Sequence, residues 1–422
     1  MLGLIVAAAL VAVGCGSDDD AGDSTAAKSD GPVAIEWWHI ANNDPLKTIW
    51  KDAADQYMAD NPNVDIKITV LENEAFKTKL TTTMQAGKVP DVFQSWGGGT
   101  LAEQAQAGLV QDISEPTSDW IGDLNEAGVG LYQVDGKQYG VPYNLGMVGV
   151  WYNTALFEKA GIDEPPATWD DFLAAVEKLK AAGITPIALG EKDKWPGMFW
   201  WANLSLRIAG ADAMQQAGED GSFDGDGFVK AGEELQRLID MQPFQKGFLA
   251  APWDGAGGEA ATMANGRAAM DLMGQWAPFT FAANTKDKAP KLGWFPFPVV
   301  DGGAGSADEQ FGGGDGFAIG KDAPPEAVDF VKFLTSMEIA NKGGASGAIL
   351  PVIKGSESSV EDPNMKAVLD TRAEASYVQL YLDQAYPPAV GAAVNDAVQG
   401  LFAGKSSPED VSKSIADAAK AG

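Results

Sequence analysis

Cysteine and histidine are almost absent: a chain of 422 residues carries one of each, Cys15 and His39. No disulfide can form within it. A Cys/His zinc site, a Cys-x-x-Cys redox pair or an intramolecular Cys–His nucleophile each needs more of these residues, or a better placed pair. An enzyme would have to work with carboxylates, and neither a metal nor a cofactor is expected. Basic residues are scarce as well, with 30 Lys and Arg against 59 Asp and Glu and a formal net charge of −29. A surface that neutralises many phosphates does not fit that balance, so nucleic acid is a poor partner. The apolar run at residues 2–13, LGLIVAAALVAV, is too short to span a bilayer. Tryptophan, by contrast, is abundant at 13 residues. Large planar side chains in this number call for an explanation.

The apolar run reads as the h-region of a secretion signal, followed by the polar, low-complexity GSDDDAGDSTAAKSDGP. Its end, AVGC, resembles a bacterial lipobox, in which the cysteine becomes the acylated N-terminus; Cys15 would then be the lipidation site. Residues 1–32 are accordingly expected to be lipoprotein signal, lipobox and flexible linker. The expected location is the extracellular face of the cell membrane, with the chain lipid-anchored and monomeric.

From Val33 onward strand and helix patterns alternate. VAIEWWHI, NVDIKITVL and DVFQSW read as strands, with helices at DPLKTIWKDAADQYMADNP and EAFKTKLTTTMQAGKVP and a third, TLAEQAQAGLV, starting at a threonine N-cap. A second series has strands at GMVGVWYN, TPIALG, AAMDLMG and LGWFPFPVV, the helix TWDDFLAAVEKLKAAG and long helices through about residue 243. LGWFPFPVV and FGGGDGFAIG read as strands around a Gly-rich turn, and PEAVDFVKFLTS as an amphipathic helix after two prolines. The alternation predicts an α/β fold: two lobes, each a mostly parallel sheet flanked by helices, with a crevice between them. Ligands in such folds sit beyond the carboxyl ends of strands, where His39, Gln94 and Trp96 are placed.

Several segments together resemble the extracellular solute-binding proteins of ABC-type sugar importers, the group that includes the maltose-binding proteins. They are the opening IEWWHIANNDPLKTIWKDAADQYMADNPNVDIKI, GKVPDVFQSW, DGKQYGVPYNLGMVGVWYNTALFEKAGI, PATWDDFLAAVEKLKAAGITPIALG, AAMDLMGQWAP and GGGDGFAIG. The resemblance implies a periplasmic-binding-protein-like fold with an N-lobe from 33–145 plus 294–349 and a C-lobe from 146–293 plus 350–422. Crossings are then expected near Asn144–Gly146, Gly293–Phe297 and Ala348–Pro351. It also implies capture of a sugar between the lobes and delivery to transporter membrane subunits.

A sugar presents hydroxyls around its ring and C–H patches on its faces, so its site needs aromatic faces together with carboxylates, amides and cationic groups. By the resemblance Trp276 stacks on a sugar ring, and the loop after IALG contributes Glu191, Lys194 and Trp195 to the cleft wall. Trp200 and Trp201, beyond Pro196, are expected in the core. Gln94 and Trp96 at a strand end, Tyr143 and Asn144 at the presumed hinge, and His39, Asn42 and Asn43 after the first strand complete one side. Asp315, Tyr381 and Asp383 are further candidates. Core packing, turn formation or surface polarity is the competing role for each.

GGGDG and GGGT lack the Gly-Lys-Ser/Thr end of a phosphate loop. SFDGDGFVKAGE approaches a calcium loop but has Ser222 at its first position and Lys230 at its ninth, so a turn before a helix is the better reading. The expected ligand is a short β-linked xylo- or cello-oligosaccharide such as xylobiose, with a maltose-type glucan as the alternative sugar. From another class, a secreted glycoside hydrolase would also use tryptophans and two carboxylates.

Overall fold

The structure is a computed structural model that describes residues 31–285 and 288–421. The expected signal, lipobox and acylated Cys15 lie outside these residues. Eleven strands follow in chain order: β1 (Val33–His39), β2 (Val64–Val70), β3 (Val92–Ser95), β4 (Gln133–Val134), β5 (Lys137–Gln138), β6 (Gly140–Met147), β7 (Gly149–Asn153), β8 (Met270–Met273), β9 (Leu292–Pro296), β10 (Glu309–Ile319) and β11 (Tyr377–Leu380). They form a six-stranded sheet in the order β11-β10-β3-β1-β2 with β6 also on β10, a three-stranded sheet β8-β7-β9, and the small hairpin β4-β5.

The first unit forms as its pattern dictates. β1 and β2 pair in parallel with Ile35 opposite Ile66, and the helix Leu46–Asp60 between them buries Trp50, Ala53, Ala54 and Tyr57, one helical face. Alternation along β1 sends its two indoles to opposite sides of the sheet. Trp37 packs edge-on against Trp50, Phe317 and Phe330, whereas Trp38 joins a separate cluster with Phe76 and Phe93 and has the Lys79 ammonium 4.0 Å from its ring. Both indoles are therefore core.

The glycine-rich stretch follows expectation. FGGGDGFAIG lies in one continuous strand, β10, pairing antiparallel with both β3 and β6 and shifting register between Asp315 and Gly316. Its glycines are there for close approach: a Cβ on Gly312 would lie 2.3 Å from the Gly146 carbonyl, and one on Gly316 would lie 2.5 Å from the Val141 carbonyl. Most of β6 escaped the sequence reading, since a Pro- and Gly-bearing run carries no alternation. The ladders of the smaller sheet are antiparallel around β7, although Ile187 bridges Met270 of β8 in parallel. TPIALG makes only isolated bridges through Ile187, and the helix expected from Thr100 begins earlier, as Gly98–Gln106.

The chain passes from the large sheet to the small one at Val148, between β6 and β7. β9, expected to open the return, still pairs with β7, so the return runs through residues 297–308 to β10. A third strand of chain lies beside the first crossing, where Asn144 bridges Pro351. β11, from the segment expected in the second lobe, pairs with β10 at the edge of the large sheet.

The helix Trp195–Ala209 runs through the main core, which it shares with Trp37 and Trp50. Every residue from Trp195 to Arg207 is buried, the signature of an interior helix rather than an amphipathic one. Pro196 occupies its first turn, and Lys194 precedes it in the left-handed region at φ 68°.

Candidate binding cleft

Segments from both sheets converge on a cavity of about 150 Å³. Its walls carry four indoles, those of Trp96, Trp195, Trp253 and Trp276, and its floor carries Tyr143 and Asp315. The aromatic rings brace one another: Trp195 lies 5.2 Å from Phe199 and 5.9 Å from Trp253, Phe199 stacks on Tyr381 at 5.5 Å, and Trp276 meets Tyr381 edge-on at 6.0 Å. Ring faces held this way stay rigid, and little conformational freedom is lost when a flat ligand docks on them.

The floor is a hydrogen-bond knot. Asp315, on β10, accepts from Gln94 Nε2 at 3.0 Å and from Asn144 Nδ2 at 2.8 Å. Tyr143 in turn donates to Gln94 Oε1 at 3.3 Å, and Asn144 Oδ1 accepts the Leu350 backbone N–H at 2.7 Å. Burial pushes the Asp315 carboxyl up to about 6, against the pull of Asn144, Trp96 and Gln94. To one side Lys77 contacts Asp383 at 3.3 Å and Glu74 at 3.4 Å, with its ammonium 5.5 Å from the Trp96 ring. Burial works against the charge on Lys77, and Asp383 and Glu74 more than offset it, so its pKa is raised.

Three polar atoms on lining residues are buried without a hydrogen-bond partner: Asn73 Oδ1, Trp195 Nε1 and Gln275 Oε1. Two acceptors and a donor left unpaired in an otherwise bonded interior are groups that a ligand can satisfy. Beyond this chamber a second one of about 640 Å³ shares Glu72 and Asp254 with it and is lined by charged groups, including Lys192, Asp193, Lys194 and Asp396. At the border between them Asn43 Nδ2 donates to Asp254 Oδ2 at 3.1 Å. Asp254 Oδ1 is held by Asn284 Nδ2 and the Gly255 N–H, both at 2.6 Å.

Among the residues singled out from sequence, Trp96, Trp195, Trp276, Tyr143, Asn42, Asn43, Asp315, Tyr381 and Asp383 all line the cavity. Gln94 and Asn144 stand behind its floor, where the Asp315 carboxylate occupies their amides. Three others are placed elsewhere. His39 is 1% exposed, packed against Trp37 at 4.5 Å with Nδ1 accepting the Ala41 N–H. Burial lowers its pKa to about 3. Glu191 is buried beneath the first turn of the Trp195 helix, where a Cβ on Gly197 would lie 2.1 Å from its Oε2, and burial raises its carboxyl well above the usual range. Lys194 pairs with Asp396 in the outer chamber.

Sequence reading missed Trp253, Gln275, Lys77 and Asn73. Trp253 lies in a loop without strand or helix pattern, and Lys77 and Asn73 look like ordinary helix-surface residues. Gln275 had a usable signal in its place beside Trp276 after a strand end.

Residues 41–341 match the family described as bacterial extracellular solute-binding protein. An uncharacterized ABC transporter extracellular-binding protein of Pyrococcus horikoshii is 27% identical over 437 residues, covering 99% of this chain and 94% of the relative. The multiple sugar-binding protein of Streptococcus mutans is 28% identical over 310 residues, or 70% and 69% of the two chains. A solved structure from work on xylan utilization by the thermophilic bacterium Caldanaerobius polysaccharolyticus has a TM-score of 0.85 at 29% identity, covering 91% of this chain and 99% of that one. A chitin oligosaccharide binding protein reaches 0.83 at 28% identity, with 93% and 100% covered.

Proposed function

The chain belongs to the bacterial extracellular solute-binding protein family, and from that premise we propose that its cleft captures a short β-linked oligosaccharide and hands it to an ABC transporter. The observation that carries this reading is the pairing of four indole faces with unpartnered buried polar atoms in one cavity. Ring C–H patches stack on the indoles, while ring hydroxyls supply the missing donors and acceptors. Xylan and chitin, the polymers tied to the two similar structures, are both chains of β-linked, equatorially substituted rings. That shared geometry supports a xylo- or cello-oligosaccharide over a maltose-type glucan, with a chitin oligosaccharide the nearest competitor. Capture is a hinge closure: contacts from both sheets to one ligand favour the closed arrangement by their differential affinity.

The lobes of that hinge follow the two sheets. The proposed N-lobe is built on the large sheet from 33–147 and from β10 onward through 349, with β11 added at its edge. The C-lobe then holds β7 through β9. The ligand set we propose is Trp96, Trp195, Trp253 and Trp276 as stacking faces, with Asn42, Asn43, Asn73, Lys77, Tyr143, Gln275, Asp315, Tyr381 and Asp383 as polar contacts. Cys15 is proposed to carry the lipid that keeps a monomeric protein near the transporter at high local concentration.

A hydrolase needs a carboxylic acid and a carboxylate free to exchange protons across the scissile bond. Each carboxylate lining the cavity is otherwise engaged. Asp315 is bound by two amides, Asp383 by Lys77, and Asp254 by Asn43 and Asn284, while Glu72 caps the helix Asn73–Gln85. Binding without chemistry is the reading these contacts favour.

Tryptophan fluorescence during titration with xylobiose, cellobiose, chitobiose and maltose tests the proposal. Saturable change with a β-linked disaccharide, and recovery of that sugar intact, is the expected result. No response to any of the four would overturn a sugar in the cleft, and shorter products would overturn binding alone.

A further inference from the structure

Gln275 is the most deeply buried of the three lining residues with an unpartnered polar atom. It is 1% exposed, it borders the cavity, and its Oε1 has no partner. Its amide also lies against Gly146 in β6, the strand that leads from one sheet to the other. A Cβ there would fall 1.8 Å from Oε1, 2.3 Å from Cδ and 3.0 Å from Nε2. The amide thus occupies space that exists only because position 146 has no side chain.

Its neighbours leave it little freedom to sit elsewhere. The Gly274 carbonyl accepts from Trp151 Nε1 at 3.0 Å, and a Cβ on Gly274 would lie 2.1 Å from the Trp276 ring. The backbone on one side of Gln275 is therefore pinned to the small sheet, and the other side carries an indole of the cavity wall. A buried carbonyl oxygen without a donor bears its whole desolvation penalty until something supplies an O–H or N–H.

We infer that Gln275 is a ligand-binding and specificity residue whose carbonyl accepts a hydroxyl from the ring facing Trp276, and that Gly146 in the crossing strand sets its position. This assignment rests on the cleft being the sugar site. A carbonyl accepts and cannot donate, so the ligand class is one with a free hydroxyl, rather than an ether or a deoxy carbon, at that ring position. Because the amide belongs to the small-sheet side and Gly146 to the large sheet, the acceptor reaches its place only when the two sides are correctly apposed.

The test is a double-mutant cycle read by fluorescence titration with xylobiose and cellobiose on the full described chain. Gln275→Ala and Gly146→Ala should each weaken binding by about tenfold, the size of one neutral hydrogen bond. The double variant should bind no more weakly than Gln275→Ala alone, because the added methyl group acts only through the amide. Equal loss from Gly146→Ala in both backgrounds, or full affinity in Gln275→Ala, overturns the assignment. Gln275→Leu and Gln275→Asn leave Gly146 untouched and cover the case in which Gly146→Ala does not fold. Leu, which keeps the bulk without the acceptor, should lose affinity, and Asn, which keeps a shortened acceptor, should lose less; the reverse order overturns the assignment. If the unaltered protein binds both disaccharides and the cycle is additive, only the Gln275 assignment falls. If it binds neither, the sugar reading falls and takes the assignment with it.

Discussion

Trp195 and Trp200 belong to one helix and answer to different demands. Trp195 lines the cavity with its indole N–H unpaired, whereas Trp200 is 1% exposed and lies between Phe172 and Phe297. Trp195→Ala should reduce sugar affinity at least tenfold with a small change in unfolding midpoint. Trp200→Ala should lower stability by about 3–5 kcal/mol, read from denaturant unfolding, with less effect on affinity in the folded fraction. Under the proposed reading, Asp315 should make binding pH-dependent. Its ionised form is the better acceptor of a ligand hydroxyl, and burial sets its pKa at about 6. Affinity should therefore fall as pH drops from 7 to 5, and Asp315→Asn should bind more weakly at pH 7 and lose that dependence. What the sequence revealed at this scale was the side chains just after strands, such as Trp96 and Trp276, with Tyr143 at the expected hinge; all three line the cavity. It could not reveal that Gln94 and Asn144 would spend their amides on Asp315, because a hydrogen-bond partner distant in sequence leaves no local mark.

At the scale of elements, helices and regular strands were legible, and the Pro- and Gly-bearing β6 was not. β1, β2 and the helix Leu46–Asp60 lie within a residue or two of their expected bounds, since apolar spacing there is dictated by one buried face. β10 was legible as a strand although glycine is the commonest turn residue. Here it serves interlocking backbones instead, and Tyr132 fills the room that Gly316 leaves, with its ring 2.6 Å from where a Cβ would be. Gly316→Ala should accordingly cost about 1–3 kcal/mol by overpacking. Gly130→Ala is the control: a Cβ there meets nothing within 4 Å, and it should be neutral or stabilising by a few tenths of a kcal/mol. Urea unfolding of the two variants beside the parent checks both.

For the molecule as a whole, buried titratable groups oppose one another. Burial pushes Asp271 up to about 7 and its neighbour Glu259 well above the usual carboxylate range, as it does Glu191. For such groups the folded chain binds protons that the unfolded chain has released, so stability declines as pH rises through the raised pKa. His39 acts in the other sense. Below about 6.5 the unfolded chain gains a proton that the folded chain refuses until about 3, so its part of the stability is lost on acidification through that window. Several carboxyls outweigh one imidazole, and relief of the −29 net charge acts with the carboxyls. The melting temperature should be higher at pH 5.5 than at pH 7.5, and Asp271→Asn should flatten that difference, as measured by calorimetry.

The bond from Asn43 to Asp254 joins the loop after β1 to a loop of the other side, at the rim of the cavity that both residues line. Under the proposed hinge closure, its free energy adds to the closed arrangement whichever sugar is held. Apparent dissociation constants scale with the fraction of molecules in the competent state, so this contact multiplies all of them by a common factor. Asn284 orients Asp254 from outside the cavity lining. Asn284→Ala should therefore weaken xylobiose, cellobiose and chitobiose by the same factor and leave their rank and ratios unchanged. Unequal factors across the three titrations would show that Asn284 reaches the ligand itself. Strength and selectivity of uptake can then vary independently, the first at the rim of the cleft and the second on its walls.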